Sequence, residues 1–394
     1  MEDSPATQMN LRILLILSLG HLITDIYQGA LPAVLPYLKT HLSLSYAQTG
    51  VILMTANFTS SIIQPLLGHL SDRREKLFLL PMGCLAAGFG LSLLPLPGKY
   101  GLTLAMVAIS GLGVASFHPE GYKTAYFFTG QRPATGMSVF SVGGNLGFAL
   151  GPVIALTIIS RLGFNYLPVM LGFSLIFLGM LPHFWKMLHQ TKLSRLQSKT
   201  EGTGASPGTY FALTLIIAVV AMRSWTQLGL MTYIPFYYIE VLKGDPLYSG
   251  TLVSVFLLGG VAGTLGGAAL ADRWGHHRLL ILSMLLTTLL FPLIRLAEGF
   301  WLFAVLAVMG MVLISSFTVT VVMAQRLLPH HLGVASGLMV GFAIGAGGLG
   351  VTILGVVADH YGVTAALNII IFLPLVGMLL SFGIKKPGQT QFKG

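Results

Sequence analysis

The sequence predicts an all-α membrane protein of twelve transmembrane helices in two six-helix bundles, with both termini cytoplasmic. Three observations carry that prediction. Of 394 residues, 54% are hydrophobic and only 9% are charged, where a soluble domain carries about 25% charged residues. Apolar stretches of about 20 residues, the length that crosses a bilayer, recur twelve times. The longest polar stretch, "WKMLHQTKLSRLQSKTEGTGASPG", falls between the sixth and seventh of them.

The first stretch, 11–38, follows the polar, acidic opening "MEDSPATQMNLR". It is too long for the apolar part of a signal peptide and is expected to be retained. The second, 46–70, runs into the charged "SDRREK"; the third, 77–96, ends at a proline pair; the fourth, 101–128, carries "FHPEGYK". The fifth and sixth are 133–160 and 163–184, and the second half repeats the pattern at 209–240, 248–270, 279–296, 300–327, 332–358 and 362–384. This divides the chain into a bundle over 1–184, a cytoplasmic linker over 185–208 and a bundle over 209–394.

Lysine and arginine set the orientation. One set of alternating loops and termini holds Arg12, Arg73, Arg74, Lys76, Arg132, Lys186, Lys192, Arg195, Lys199, Arg273, Arg278, Arg326, Lys385, Lys386 and Lys393, fifteen in all. The opposite set holds five: Lys39, Lys99, Arg161, Lys243 and Arg295. The richer side is cytoplasmic. A cysteine at Gly202 is therefore expected to react with an impermeant thiol reagent only after lysis, and one at Gly98 in intact cells. Labelling of Gly202→Cys in sealed cells would overturn the topology.

The net charge of +10 comes from residues scattered over short loops, with no basic stripe for nucleic acid. One cysteine, Cys84, excludes an intrachain disulfide. No P-loop and no nucleophile–base arrangement stands out, so neither ATP hydrolysis nor enzyme chemistry is expected. No cofactor or metal is expected either; the doublets His276-His277 and His330-His331 lack a third ligand in the sequence. The expected partners are a small-molecule substrate, protons and the lipid bilayer, with the chain acting as a monomer in the cell membrane.

The halves resemble each other. "GHLSDRREK" (68–76) and "AALADRWGHHR" (268–278) place Asp72-Arg73 and Asp272-Arg273 200 residues apart, and "ATGMSVFSVGGNLG" has an echo in "ASGLMVGFAIGAGG". Two copies of six helices around a central site is a transporter plan. Gly68, Leu70, Asp72 and Arg73 resemble the loop signature of the major facilitator superfamily, although Glu75 and Lys76 depart from it. Asp272, Arg273 and Gly275 match its second copy, with Ala268 in place of a glycine. Gly143, Gly147, Gly151 and Pro152 look like the family's fifth-helix antiporter motif. Within the family, "GHLITDIYQGALPAVLP" and "FHPEG" resemble the fosmidomycin resistance group. The resemblance implies proton-driven export of a small organic compound by alternating access. It also implies a cytoplasmic gate at Asp72, Arg73, Asp272 and Arg273.

Ionisable residues inside spans face a bundle interior or water and mark function. His21 and Asp25, four apart, share a helical face at ~15–21 Å from the start of their span; they fit a proton carrier or a structural pair. Glu120 and Lys123, three apart, can pair beside Pro119. Glu120 fits a proton acceptor tuned by His118, part of a cytoplasmic gate, or a pair that fixes a kink; Lys123 is a second candidate for the substrate, or snorkels to the interface. Arg223, with Gln227 one turn on and then Tyr233, is the candidate anchor for an anionic group, because guanidinium grips carboxylate or phosphonate bidentately. An alternative makes Arg223 a gate partner of Asp25. Asn145 fits either a substrate contact or an interhelical hydrogen bond. Import by proton symport, and a receptor or scaffold that does not transport, are the competing functions.

Overall fold

The structure is a computed structural model, helical throughout, that describes residues 8–44, 46–73, 77–197, 207–243 and 246–384. Among these residues twelve helices follow one another: α1 Leu11–His41, α2 Val51–Arg73, α3 Leu79–Ser92, α4 Tyr100–Phe127, α5 Pro133–Leu162 and α6 Phe164–His189, then α7 Gly208–Ile239, α8 Thr251–Trp274, α9 His276–Leu296, α10 Phe300–Leu327, α11 Leu332–Tyr361 and α12 Val363–Phe382. Arg74, Glu75, Lys76, residues 198–206 of the expected linker, and Lys385, Lys386 and Lys393 lie outside the described residues.

Eleven of these helices are long and apolar enough to cross a membrane. The expected span 77–96 is the exception: α3 has 14 residues, a rise of ~21 Å against a hydrocarbon core of ~30 Å. Turns at 77–78 and 93–95 close it on both sides. Pro95 and Pro97 follow, each without the backbone donor a further turn needs.

Two compact units form, Met1–Thr203 with His330–Gly341, and Gly204–Pro329 with Phe342–Gly394. The first unit therefore takes in the start of α11, which the sequence assigns to the second bundle. In the first unit α1 lies along α5, and α2 and α3 flank α4. Asn10 begins α1 by accepting the N–H of Ile13 at 3.2 Å. Pro133 opens α5 and Gly163, at φ 102°, closes it.

The α1–α5 contact is backbone against backbone. Gly143, Gly147 and Gly151, one turn apart, lie on the carbonyls of Ser18, Leu22 and Ile26, also one turn apart, and a Cβ at any of the three would collide. Small residues of this kind let membrane helices approach closely. The second unit repeats the device: Gly259, Gly263 and Gly267 of α8 lie against Ala307, Met311 and Ser315 of α10. There α7 packs on α11 and α12, as α1 packs on α5 and α6. Large apolar side chains such as Leu66, Phe300 and Leu349 remain exposed, as helices surrounded by lipid require.

Candidate functional site

Tight α1–α5 packing sets the surroundings of the buried charges in the first unit. His21 and Asp25 face α4, and the expected pair forms, with His21 Nε2 3.3 Å from Asp25 Oδ2. His118 joins it from α4, its Nε2 donating to Asp25 Oδ1 at 2.9 Å. Depth agrees: His118 stands nine residues, ~14 Å, before the cytoplasmic end of α4, and His21 ten residues, ~15 Å, after the start of α1. The other ring nitrogen of His21 lies 3.0 Å from the Phe140 carbonyl. The His21 ring stacks on Phe140 at 4.3 Å and meets Tyr122 edge-on at 5.5 Å. Gln64 of α2 reaches His118 Nδ1 at 3.4 Å. His21, Asp25 and His118 are all buried.

Gly144 makes the room for this cluster. A Cβ there would stand 2.7 Å from Asp25 Oδ2 and closer still to the His21 ring. Gly144→Ala is expected to push His21 and Asp25 apart, at an overpacking cost of about 1–3 kcal/mol. A lowered melting temperature together with lost transport would register it. A variant with wild-type melting and transport would refute the packing argument.

The sequence reading sets His118 beside Glu120 as its tuner, and the structure separates them. Residues two apart on a helix point to different faces, so His118 reaches α1 while Glu120 turns to the cytoplasmic end of α2. Glu120 is fully buried. It accepts from Ser71 Oγ in a short contact and from Thr124 Oγ1 at 3.2 Å. Lys123 is also buried and does not reach the interface. Its ammonium donates to the Ser71 carbonyl and hydroxyl and lies 3.9 Å from Glu120 and 3.5 Å from Asp72. Lys123 thus belongs to this network and not to the His21 cluster. Pro119 sits inside an unbroken α4.

Asp72 completes the network by capping the start of α11. Its two carboxylate oxygens accept the N–H groups of Gly333 and Val334, each at 2.9 Å. Gly68 and Gly333 meet backbone to backbone, as do Gly337 and Gln64. Only glycine permits that approach, which explains Gly68 in the loop signature.

In the second unit, Arg223 of α7 is 3% exposed. Its guanidinium carbon lies 4.8 Å from the centre of the Phe317 ring, within cation–π range. Gln227 is half-buried one turn on. Tyr233 donates its hydroxyl to the Val351 carbonyl at 2.7 Å, tying α7 to α11. Asp272 lies 3.6 Å from His276 Nε2, and Arg326 reaches His276 Nδ1 at 3.4 Å. Arg73 and Arg273 are exposed, and Asn145 is half-buried.

Among the described residues, His21, Asp25 and His118 are the one trio of metal-type donors, within 4.8 Å of one another. Asp25 Oδ1 already takes the hydrogen of His118 Nε2 at 2.9 Å, and Asp25 Oδ2 lies 3.3 Å from His21 Nε2. Gln64, Ser71, Phe140 and Gly144 escaped the sequence reading. Of these, only Gly144 left a signal there, in the run "GGN".

Buried charges inside a repeated six-helix plan define a multi-pass membrane protein of the secondary-transporter class. The sequence profile of the Major Facilitator Superfamily matches residues 17–339 and 213–394, and the chain belongs to that family of transporters. It is 34% identical over 373 residues to an uncharacterized MFS-type transporter, YfnC, of Bacillus subtilis, covering 93% of this chain and 91% of that one. It is 31% identical over 376 residues to the fosmidomycin resistance protein of Escherichia coli, covering 94% and 92%. The crystal structure of the MFS transporter FucP in its outward conformation has the same fold, with a TM-score of 0.71 at 14% identity over 95% of this chain and 99% of that one.

Proposed function

We propose that this chain is a proton-coupled antiporter that exports a small organic anion of the phosphonate or carboxylate type. Asp25, with His21 and His118, carries the coupling proton. One observation carries the reading: both ring nitrogens of His21 face acceptors, the Phe140 carbonyl at 3.0 Å and Asp25 at 3.3 Å. A carbonyl only accepts, so Nδ1 holds a hydrogen. The Nε2 to Oδ2 contact then needs one further proton, carried either by His21 as imidazolium or by Asp25 as acid. The cluster therefore has a seat for one exchangeable proton, and its charge changes when that proton leaves.

Arg223, with Gln227, supplies the cation for the anionic group. Glu120 and Lys123 act with Asp72 in the cytoplasmic gate, and Asp272 is its counterpart in the second unit. Export, and a phosphonate such as fosmidomycin as substrate, are supported by the likeness to the resistance protein of Escherichia coli and by the glycines and Pro152 of α5. Inverted vesicles with an acidic interior are expected to accumulate fosmidomycin, and a protonophore to stop it. Accumulation that ignores the gradient, or that needs the opposite one, would refute proton antiport.

A further inference from the structure

The tenth span is broken at mid-membrane. Its two parts, Phe300–Ile314 and Phe317–Leu327, are separated by Ser315 and Ser316. Both serines at the break turn back on the preceding turn: Ser315 Oγ donates to the Val312 carbonyl at 2.6 Å and Ser316 Oγ to the Leu313 carbonyl at 3.0 Å. Such back-bonds compete with the backbone ladder and bend helices. Gly260 and Gly267 of α8 pack directly on Ile314 and Ser315, which holds the break in place.

The break creates a helix start inside the protein. The first N–H groups of the 11-residue part Phe317–Leu327 have no intrahelical acceptor, and the positive end of its dipole lies there. Arg223 sits over Phe317, the first residue of that part, at 4.8 Å. Thr318, the second residue, is fully buried, and its hydroxyl has no hydrogen-bond partner. Its neighbours behave otherwise: Ser315, Ser316 and Thr320 each bond a carbonyl three residues back. Helical side chains lean toward the N-terminus, so the Thr318 hydroxyl leans toward the free N–H groups of the same helix start over which Arg223 sits.

We infer that the start of Phe317–Leu327, with the Thr318 hydroxyl and the Arg223 guanidinium, is an oxyanion site that binds the phosphonate or carboxylate group of the substrate. The inference rests on the reading of the substrate as an anion and names the atoms that would hold it. A helix N-terminus, a hydroxyl donor and a planar cation offer an oxyanion three kinds of donor. A neutral ester of the same size could not draw on the charge-assisted part of that binding.

Binding of methylphosphonate to the full-length chain in detergent, with no pH gradient, followed by phosphorus NMR line broadening, tests the site. Inorganic phosphate and the uncharged dimethyl methylphosphonate serve as further probes. Wild type is expected to bind methylphosphonate and not the ester; equal binding of inorganic phosphate would mean that the oxyanion alone is read. Thr318→Val should weaken methylphosphonate about tenfold, the loss of one hydrogen bond to a charged group. Thr318→Asp should abolish binding by filling the site with its own carboxylate, a substitution that helix starts favour. Wild-type affinity in both variants, equal binding of ester and anion, or no oxyanion binding by wild type would overturn the site. These readouts need no gradient. If they come out as expected while vesicle accumulation ignores pH, only the proton coupling fails; in the reverse case only the oxyanion site does.

Discussion

Asp25→Asn is expected to reduce pH-gradient-driven export to the level of vesicles without the protein, while the variant folds and still exchanges substrate across the membrane. The hydrogen bonds explain both halves of that result. The asparagine carbonyl oxygen can still accept from His118 Nε2, as Oδ1 does now at 2.9 Å. Its amide can donate to a neutral His21 whose Nδ1–H stays on the Phe140 carbonyl. Asparagine therefore copies the protonated carboxyl and leaves no buried group unpaired, so no large loss of stability follows. It cannot release a proton, so the cycle loses its drive but not its binding. Counterflow with substrate on both sides should persist, and net accumulation should not. His21→Phe is predicted to weaken coupling by a different route, because Asp25 then loses one of its two imidazole partners. Full gradient-driven accumulation by Asp25→Asn would remove Asp25 from the proton path.

Asp72→Ala is expected to loosen the start of α11. Two charge-assisted hydrogen bonds, to Gly333 and Val334 at 2.9 Å each, disappear together, and Lys123 loses the carboxylate 3.5 Å away. Hydrogen bonds to charged groups contribute about 1.5–3 kcal/mol each. Taking the lower end for each of the two bonds gives a combined loss of about 3 kcal/mol. If that loss falls on local opening, amide exchange over 330–341 should quicken by about a hundredfold. Asp72→Asn, which keeps an acceptor oxygen but no charge, should fall between the two. Unchanged exchange in Asp72→Ala would show that the cap does not hold this segment.

Much of the architecture was legible in the sequence because hydropathy and charge act through the bilayer, whatever the tertiary contacts. The spans, their two halves and the paired Asp-Arg loops needed nothing else. The His21–Asp25 pair was legible for a similar reason, since helical spacing alone puts residues four apart on one face. The His118–Asp25 bond was not, because its partners are 93 residues apart and meet only once α1 lies beside α4. Without that contact, sequence proximity alone sets His118 beside Glu120. The fifth-helix glycines were visible as a pattern, but their purpose lies in the Ser18, Leu22 and Ile26 carbonyls they touch. Hydropathy could not see the break in α10 either, where the Ser315 and Ser316 hydroxyls turn back on Val312 and Leu313. The shortness of α3 also escaped the apolar count, which ran through the turn before Pro95.

The exchangeable proton at Asp25 and His21 can be measured by substrate-linked proton release. Purified wild-type protein in weakly buffered detergent solution is titrated with fosmidomycin while the pH is recorded, and Asp25→Asn is treated in the same way. Binding to wild type is expected to release protons in step with occupancy, and Asp25→Asn to bind the compound without that release. Equal proton release by both proteins at equal occupancy would contradict it.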